Sequence, residues 1–215
     1  MAEKVEDVVT AATQVFARYG YKRVTMADLA EAAHMSRPSL YLIFPSKEQV
    51  FRAVVERVFA SMVAEIRQGV SRFPTAEEKL TFACEIWCVR PFEMILASPD
   101  ARDLLESTYE FAAETTKEAA SDFMSILAEI LDPLVRRQNK VHLSSSRIAE
   151  LLASALPGFK ASAESAPQLR ALIAGLITVV LASVEESSAI EKRGKKRTPR
   201  KTKGLASLTL SGRVE

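Results

Sequence analysis

The sequence predicts an all-α fold, and three observations support it. Apolar residues recur at three- and four-residue steps along most of the chain, which is the period of an amphipathic helix. No alternating apolar–polar run of useful length indicates a strand. The 215 residues are 48% hydrophobic and 26% charged, a composition that suits one large domain or two small ones with a substantial core.

The first two helices are predicted from their apolar faces and their caps. Val5, Val8, Ala12, Val15, Phe16 and Tyr19 form one stripe. Gly20 follows this stripe as a C-terminal cap. The second helix opens at Thr25 with Asp28 three residues later, where a hydroxyl and a carboxylate satisfy early backbone N–H groups.

The third helix is short and the fourth is long. The third begins near Ser36 to Pro38, because proline is tolerated in a first turn, and it ends before Pro45. Ser46 caps the fourth, with Gln49 at the capping-box position, and this helix runs to about Phe73. The second and third helices are separated by a turn at 33–36, which predicts a helix-turn-helix with the third helix as the reader of DNA.

The same signals predict the organisation of the rest of the chain. Further helices are expected at 76–95, 99–112, 114–138, 144–160 and 167–187. The predicted domains are a helix-turn-helix domain at 1–52, a helical ligand-binding and dimerisation domain at 53–191, and a basic tail at 192–215. The tail is expected to be disordered in isolation, because the run KRGKKRTPRKTK contains no apolar residue.

The net charge of +2 is misleading as a single value. Residues 1–191 hold 20 basic and 26 acidic side chains, whereas residues 192–215 hold 9 basic and 1 acidic. An acidic body cannot bind nucleic acid broadly, so contact with DNA is expected at a few placed cations and at the basic tail.

The predicted reading helix presents a polar face opposite Leu40 and Phe44, which point to the core. Arg37 can donate two hydrogen bonds to guanine, and Leu42 can pack on a thymine methyl. Tyr41 and Lys47 suit phosphate contacts, the latter at a helix N-terminus. The predicted DNA-binding set is Thr25, Ser36, Arg37, Pro38, Ser39, Tyr41, Leu42, Ile43 and Lys47.

Residues 5–52 resemble the DNA-binding domain of the TetR/AcrR family of bacterial transcriptional regulators. The resemblance is carried by three pieces of sequence: the spacing Ala12-Phe16-Gly20, then Thr25-x-x-x-Leu29-Ala30, and then Ser36 with Leu40-Tyr41-x-x-Phe44-Pro45-Ser46-Lys47-Glu48. It implies recognition residues at Arg37, Pro38, Ser39, Tyr41 and Ile43, and a phosphate contact at Lys47.

Three departures or alternatives remain at this stage. His34 stands where the family usually has glycine, and histidine tolerates the left-handed conformation better than most residues. Ile43 is as consistent with packing at the groove edge as with a base contact. The same caps and spacing would also suit a three-helix bundle with no DNA to bind.

A dimer interface is predicted on the last two helices. A helix-turn-helix reads one half-site, so specific binding requires a homodimer on a palindromic operator of double-stranded DNA. The run 171–184 is uncharged, and its small residues would let two helices approach closely. The predicted interface is Ile148, Leu151, Leu152, Ala171, Gly175, Thr178 and Ala182, against the alternative that this helix is buried within one subunit.

The resemblance implies a ligand cavity among the central helices and release of DNA when the cavity is filled. The candidate lining is Leu80, Cys84, Trp87, Phe111, Phe123, Met124 and Leu127, for which ordinary core packing is the alternative. The chemical identity of the small-molecule effector cannot be read from the sequence.

No catalytic residue, metal site or cofactor is predicted. Cys84 and Cys88 lack further ligands, and His142 stands alone, in an expected loop. The segment MAEKVEDVV lacks the pattern of a secretory signal, and no uncharged run reaches the roughly 20 residues of a membrane span, so a cytoplasmic protein without membrane contact is expected.

The leading prediction is a dimeric repressor that a small molecule releases from its operator. The alternatives are a non-specific architectural DNA-binding protein that uses the basic tail, and a helical enzyme. The operator, the regulated genes, the choice between repression and activation, and contact of the tail with DNA are all left open.

Overall fold

The computed structural model describes residues 2–97, 103–104, 107–108, 110–137 and 142–184. Its helices are α1 (Ala2–Tyr19), α2 (Met26–Ala32), α3 (Arg37–Ile43), α4 (Lys47–Gly69), α5 (Ala76–Cys84), α6 (Arg90–Ala97), α7 (Ala113–Arg137), α8 (Ser145–Ser162) and α9 (Ala166–Val184). Residues 103–104, 107–108 and 110–111 are helical as well. The described residues contain no strand, so the predicted all-α class is confirmed.

The ends of the first helices are closed by the residues that the sequence indicates. The Gly20 N–H donates to the Phe16 carbonyl at 2.9 Å, and Gly20 has a φ of 74°, which glycine adopts at little cost. The Thr25 hydroxyl accepts the Asp28 N–H while the Asp28 carboxylate accepts the Thr25 N–H, completing a capping box. Ser36 and Ser46 cap α3 and α4 by accepting the N–H groups of Ser39 and Gln49.

The described residues form two buried clusters, and α4 takes part in both. The first cluster packs α1 to α3 against the start of α4, with Phe16, Leu40 and Phe51 at most 2% exposed. The second packs the end of α4, from Ile66, against the helices that follow. α4 runs without a break from Lys47 to Gly69, so one helix contributes to both clusters.

The predicted helix at 76–95 contains an irregularity that periodicity alone does not reveal. Residues Glu85–Val89 form a π-helical turn between α5 and α6. A π turn lowers the rotation per residue and changes which side chains share a face. Trp87 therefore leaves the face of Leu80 and Cys84, both fully buried, and is half-buried instead.

The last helix is amphipathic within its own subunit. Ala166, Leu169, Ile173, Ile177, Leu181 and Val184 are buried. By length and composition α9 could cross a membrane, with a mean hydropathy of 1.7. The uncharged run in this helix begins only after Arg170, whose guanidinium donates to Glu85 at 3.0 Å and to Glu93 at 2.9 Å.

Several predictions fall where the structure gives no description. The basic tail at 192–215 and half of the helix predicted at 99–112 lie outside the described residues. The helices predicted at 114–138 and 144–160 correspond to α7 and α8 within two residues.

Candidate nucleic-acid interface and the cavity behind it

The outer face of α3 is exposed and chemically suited to a groove. Leu40 is fully buried and Phe44 is 9% exposed, whereas Leu42 is 88% exposed and Tyr41 46% exposed. Arg37, Pro38 and Ser39 are exposed on the same short helix. Leu42 therefore takes no part in the chain's own core and is free to contact another surface.

The Arg37 side chain is available, whereas the neighbouring hydroxyls are already in use. Arg37 makes no hydrogen bond or ion pair with any residue in the described part of the chain. The Ser36 and Ser39 hydroxyls lie 2.7 Å apart. The Thr25 hydroxyl donates to Asp28 Oδ2 at 2.8 Å, and its backbone N–H and hydroxyl lower the pKa of the Asp28 carboxyl.

His34, in the turn before α3, and Ile43, a member of the predicted DNA-binding set, have special positions. His34 has a φ of 52°, so the turn takes the left-handed conformation that the sequence anticipates despite the absence of glycine. Ile43 is half-buried and packs against the first cluster of the chain itself, a contact that the sequence analysis did not predict.

Lys47 joins the start of α4 to the segment between α1 and α2. Its ammonium donates to the carbonyl oxygens of Tyr21 and Val24, both at 3.0 Å, and lies 4.1 Å from the centre of the Tyr21 ring. The side chain thus has a structural role that sequence reasoning did not assign. One of its three ammonium protons remains for the predicted phosphate contact.

Tyr21 contacts residues from several helices, and the sequence analysis did not predict these contacts. Its ring lies 4.8 Å from Phe51 and 4.9 Å from Phe111, measured between centroids, and its hydroxyl donates to Glu48 at 3.1 Å. Burial, followed by the Glu48 carboxylate, raises the pKa of the Tyr21 phenol. The position after Gly20 carries an aromatic residue outside the helical stripe, which is the one sequence signal for it.

Asp103, which precedes α7, contacts the backbone at Tyr21. Its carboxylate accepts the N–H groups of Tyr21 at 2.7 Å and Lys22 at 2.8 Å, and it pairs with the Lys22 ammonium at 3.4 Å. Burial alone would raise the pKa of this carboxyl, but those donors hold it below its ordinary value. A charge-assisted contact therefore joins Asp103, in the helical residues that precede α7, to the loop after α1.

A cavity of about 570 Å³ lies next to the first cluster, and its volume is within the usual range for small-molecule sites. Its walls come from α1, α4, the π turn, α6, α7 and α8, and include Phe16, Phe51, Val54, Phe59, Met62, Trp87, Arg90, Pro91, Leu104, Thr108, Phe123 and Lys160. Trp87 stacks on Phe123 with centroids 4.6 Å apart and planes 6° apart. Phe16 and Phe51 belong both to the lining of the cavity and to the first cluster.

The cavity differs from the predicted pocket in most of its lining. Trp87 and Phe123 line it, whereas Leu80, Cys84 and Leu127 are fully buried in the second cluster. Phe111 packs on Tyr21, and Met124 is absent from the lining residues that the structure describes. The π turn separates Trp87, which lines the cavity, from Leu80 and Cys84, which face the second cluster.

Lys160 lines the cavity but is not in the predicted pocket, although the spacing of the sequence gives a signal for it. Ala153, Leu156, Pro157 and Lys160 follow each other at helical steps of three, one and three, which places Lys160 on the cavity face of α8.

The predicted dimer face is corrected at two positions. Ile148 and Leu152 are 4% and 0% exposed and pack within the chain's own core. Leu151 is 51% exposed, and Ala171, Gly175, Thr178 and Ala182 are all exposed. A Cβ atom placed on Gly158 or Gly175 would meet no atom within 4 Å, so the chain itself does not require either glycine.

Both cysteines are fully buried. Burial raises the pKa of the Cys84 thiol to about 12, and that of Cys88 is raised as well, so both stay protonated at neutral pH. No group of three or more potential metal ligands occurs among the described residues. His142 lies outside the helices, as expected.

Residues 8–54 match the family model for bacterial regulatory proteins of the tetR family. The chain is 31% identical over 83 residues to the HTH-type transcriptional activator FasR of Mycolicibacterium smegmatis, covering 39% of this chain and 38% of that protein. It is 39% identical over 54 residues to the HTH-type transcriptional repressor ComR of Escherichia coli, covering 25% of this chain and 26% of that protein. These matches thus span well under half of either relative.

The fold extends the likeness beyond the amino-terminal domain. A TetR-family transcriptional regulator from Pectobacterium atrosepticum superimposes with a TM-score of 0.67 at 21% identity, over 86% of this chain and 95% of that one. At this identity the match concerns the fold alone.

Proposed function

Because residues 8–54 form a domain of the tetR family of bacterial regulatory proteins, we propose that this protein is a sequence-specific DNA-binding transcriptional regulator. The observation that carries the proposal is the outer face of α3. Arg37, which has no bonded partner among the described residues, and Leu42, which is 88% exposed, both lie on a capped helix whose Leu40 is buried. This arrangement suits insertion into the major groove, with guanine and thymine as the bases contacted.

We propose that the operator is palindromic and that a homodimer reads it. The exposed face of α8 and α9 supports this assembly. Glycine within a helix costs roughly 0.5–1 kcal/mol relative to alanine, yet Gly158 and Gly175 face open space in one subunit. Close approach of the same face of a second copy would account for both glycines and would cover Leu151 and Val179, which are 51% and 66% exposed.

We propose that a small molecule in the central cavity controls DNA binding. The cavity touches α1 and α4 directly, and Leu104 and Thr108 line it from the same stretch of chain as Asp103. Asp103 in turn holds the backbone at Tyr21 and Lys22. A ligand that fits one arrangement of these helices better than another shifts the spacing of the two readers.

A DNA-binding regulator can either repress or activate transcription. We favour repression that the ligand relieves, although the two relatives named above carry the words activator and repressor. In vitro transcription from a promoter carrying the selected operator tests it: transcription should fall with added protein, and a rise would assign activation instead.

The direct test of DNA recognition is selection of bound DNA from a random pool with the full chain and with a chain ending at residue 191. Recovery of one palindrome by both proteins is expected, with half-sites 34–36 Å apart. Loss of all binding on truncation would favour the alternative, a non-specific DNA-binding protein that uses the basic tail at 192–215.

We propose a cytoplasmic regulator that needs no cofactor, has no enzymatic activity and does not bind membranes. The raised pKa values of both cysteines support only the absence of a thiolate nucleophile at neutral pH.

A further inference from the structure

The charges in the central cavity all have one sign. Its lining is mostly aliphatic and aromatic, and the charged members are Arg90 and Lys160. Among the described lining residues none is an aspartate or a glutamate. A ligand that fills this space therefore meets apolar walls and positive charge.

The cavity's threonines do not offer hydrogen-bond donors to a ligand. The hydroxyls of Thr13, Thr108 and Thr116 donate to the carbonyls of Val9, Leu104 and Ala112, at 2.7, 2.7 and 2.9 Å. Their lone pairs can accept, but their protons are occupied within their own helices. Charged donation to a ligand thus comes from the two basic residues.

Of these two residues, Lys160 is the one whose charge is uncompensated. Arg90 is half exposed and pairs with Glu65 at 2.8 Å. Lys160 is half-buried and makes no hydrogen bond or ion pair with any residue that the structure describes. Its charge is felt by the buried Cys88, another lining residue, where it opposes the rise in thiol pKa that burial causes.

We propose that the cavity binds a single-chain amphiphile with a carboxylate head, which pairs with Lys160, and an apolar chain, which lies along Trp87, Phe59 and Phe123. This inference rests on the proposed function, because it names the chemical class of the effector. A half-buried ammonium beside apolar walls gains most from a fixed anionic partner, since charged hydrogen bonds strengthen where water is excluded. A cationic amphiphile would meet repulsion from both basic residues.

Trp87 makes the test direct, because it is the only tryptophan in the sequence and it lines the cavity. Its fluorescence is titrated with decanoate, decanol and decyltrimethylammonium, all kept below their aggregation limits. Decanoate should bind about tenfold or more tightly than decanol, the difference expected for one charge-assisted bond. The cationic amphiphile should bind most weakly.

Variants separate Lys160 from general charge effects. Lys160→Gln should bring decanoate to the affinity of decanol, and Lys160→Arg should keep the preference. Lys117→Gln is the matched control, because Lys117 is exposed on α7 and does not line the cavity. The retained preference of Lys160→Arg also shows that position 160 tolerates substitution without unfolding.

The outcomes distinguish this inference from the proposed function. Equal affinity of the unmodified protein for decanoate and decanol, or an unchanged preference in Lys160→Gln, would overturn the carboxylate assignment and leave the DNA-binding proposal standing. Tight binding of decanoate without release of operator DNA would uphold the assignment and refute control of DNA binding by the cavity.

Discussion

Replacement of Gly175 by alanine should raise the stability of one subunit and weaken the proposed dimer. In a single chain the added Cβ meets no atom within 4 Å, so no strain opposes the gain in helix propensity. That gain is about 0.5–1 kcal/mol, or a rise in Tm of about 1–4 °C for a chain of this size.

The same methyl group acts with the opposite sign in the dimer. If two copies pack through this face, the methyl enters a close contact, and overpacking costs about 1–3 kcal/mol. The dissociation constant of the dimer should then rise about 5- to 150-fold. Gly175→Leu, with a larger side chain and the same open surroundings in one subunit, should abolish the dimer.

Sedimentation measured over a range of protein concentrations, together with thermal unfolding at the dilute end, separates the two effects. Ser121→Ala is the matched control, because Ser121 is exposed on α7 and away from the α8–α9 face. The reasoning is refuted if both Gly175 variants keep the dissociation constant of the unmodified protein.

The other predictions concern the reading helix and its supports. Arg37→Ala should cost about 1–3 kcal/mol at one operator position and relax selectivity there, as measured by binding to single-base operator variants; uniform weakening across sequences would instead place Arg37 on phosphate. Lys47→Met should lower the free energy of unfolding in urea by about 1–3 kcal/mol, because two carbonyl contacts and the Tyr21 stacking are lost, and unchanged stability with weaker DNA binding would limit Lys47 to phosphate contact. Asp103→Asn should destabilise the protein by a similar amount at pH 7. Since the folded pKa of Asp103 is depressed, its stabilising effect is present above the unfolded pKa of about 3.9 and is lost as the pH falls through the folded value, so the difference between the two proteins should shrink in urea titrations below about pH 4, whereas a constant difference would exclude its charge as the cause.

Local signals in the sequence were sufficient for the reading domain. Gly20, Thr25 with Asp28, Ser36 and Ser46 act within a few residues of themselves, so their caps can be read from spacing alone. The burial of Leu40 and the exposure of Leu42 follow from helical period in the same way.

Contacts between distant segments explain what spacing missed. The Asp103 carboxylate accepts the Tyr21 N–H although the two residues are 82 positions apart in the sequence. No local sequence pattern near either residue predicts this hydrogen bond. The π turn at Glu85–Val89 moved Trp87 off the predicted stripe and brought it to Phe123. The predicted pocket residues share Trp87 and Phe123 with the lining of the cavity and do not include Arg90 or Lys160.

The sequence by itself determined the helical class, the capped helix-turn-helix and the outward set on α3, because these depend on interactions within one or two helical turns. The tertiary structure decided the lining of the cavity, the contact at Asp103 and the burial of Ile148 and Leu152, because each depends on which faces of distant helices pack together. A helix with apolar residues on several sides, as in α8, can bury any of them. The neighbours that the fold supplies select which face is buried.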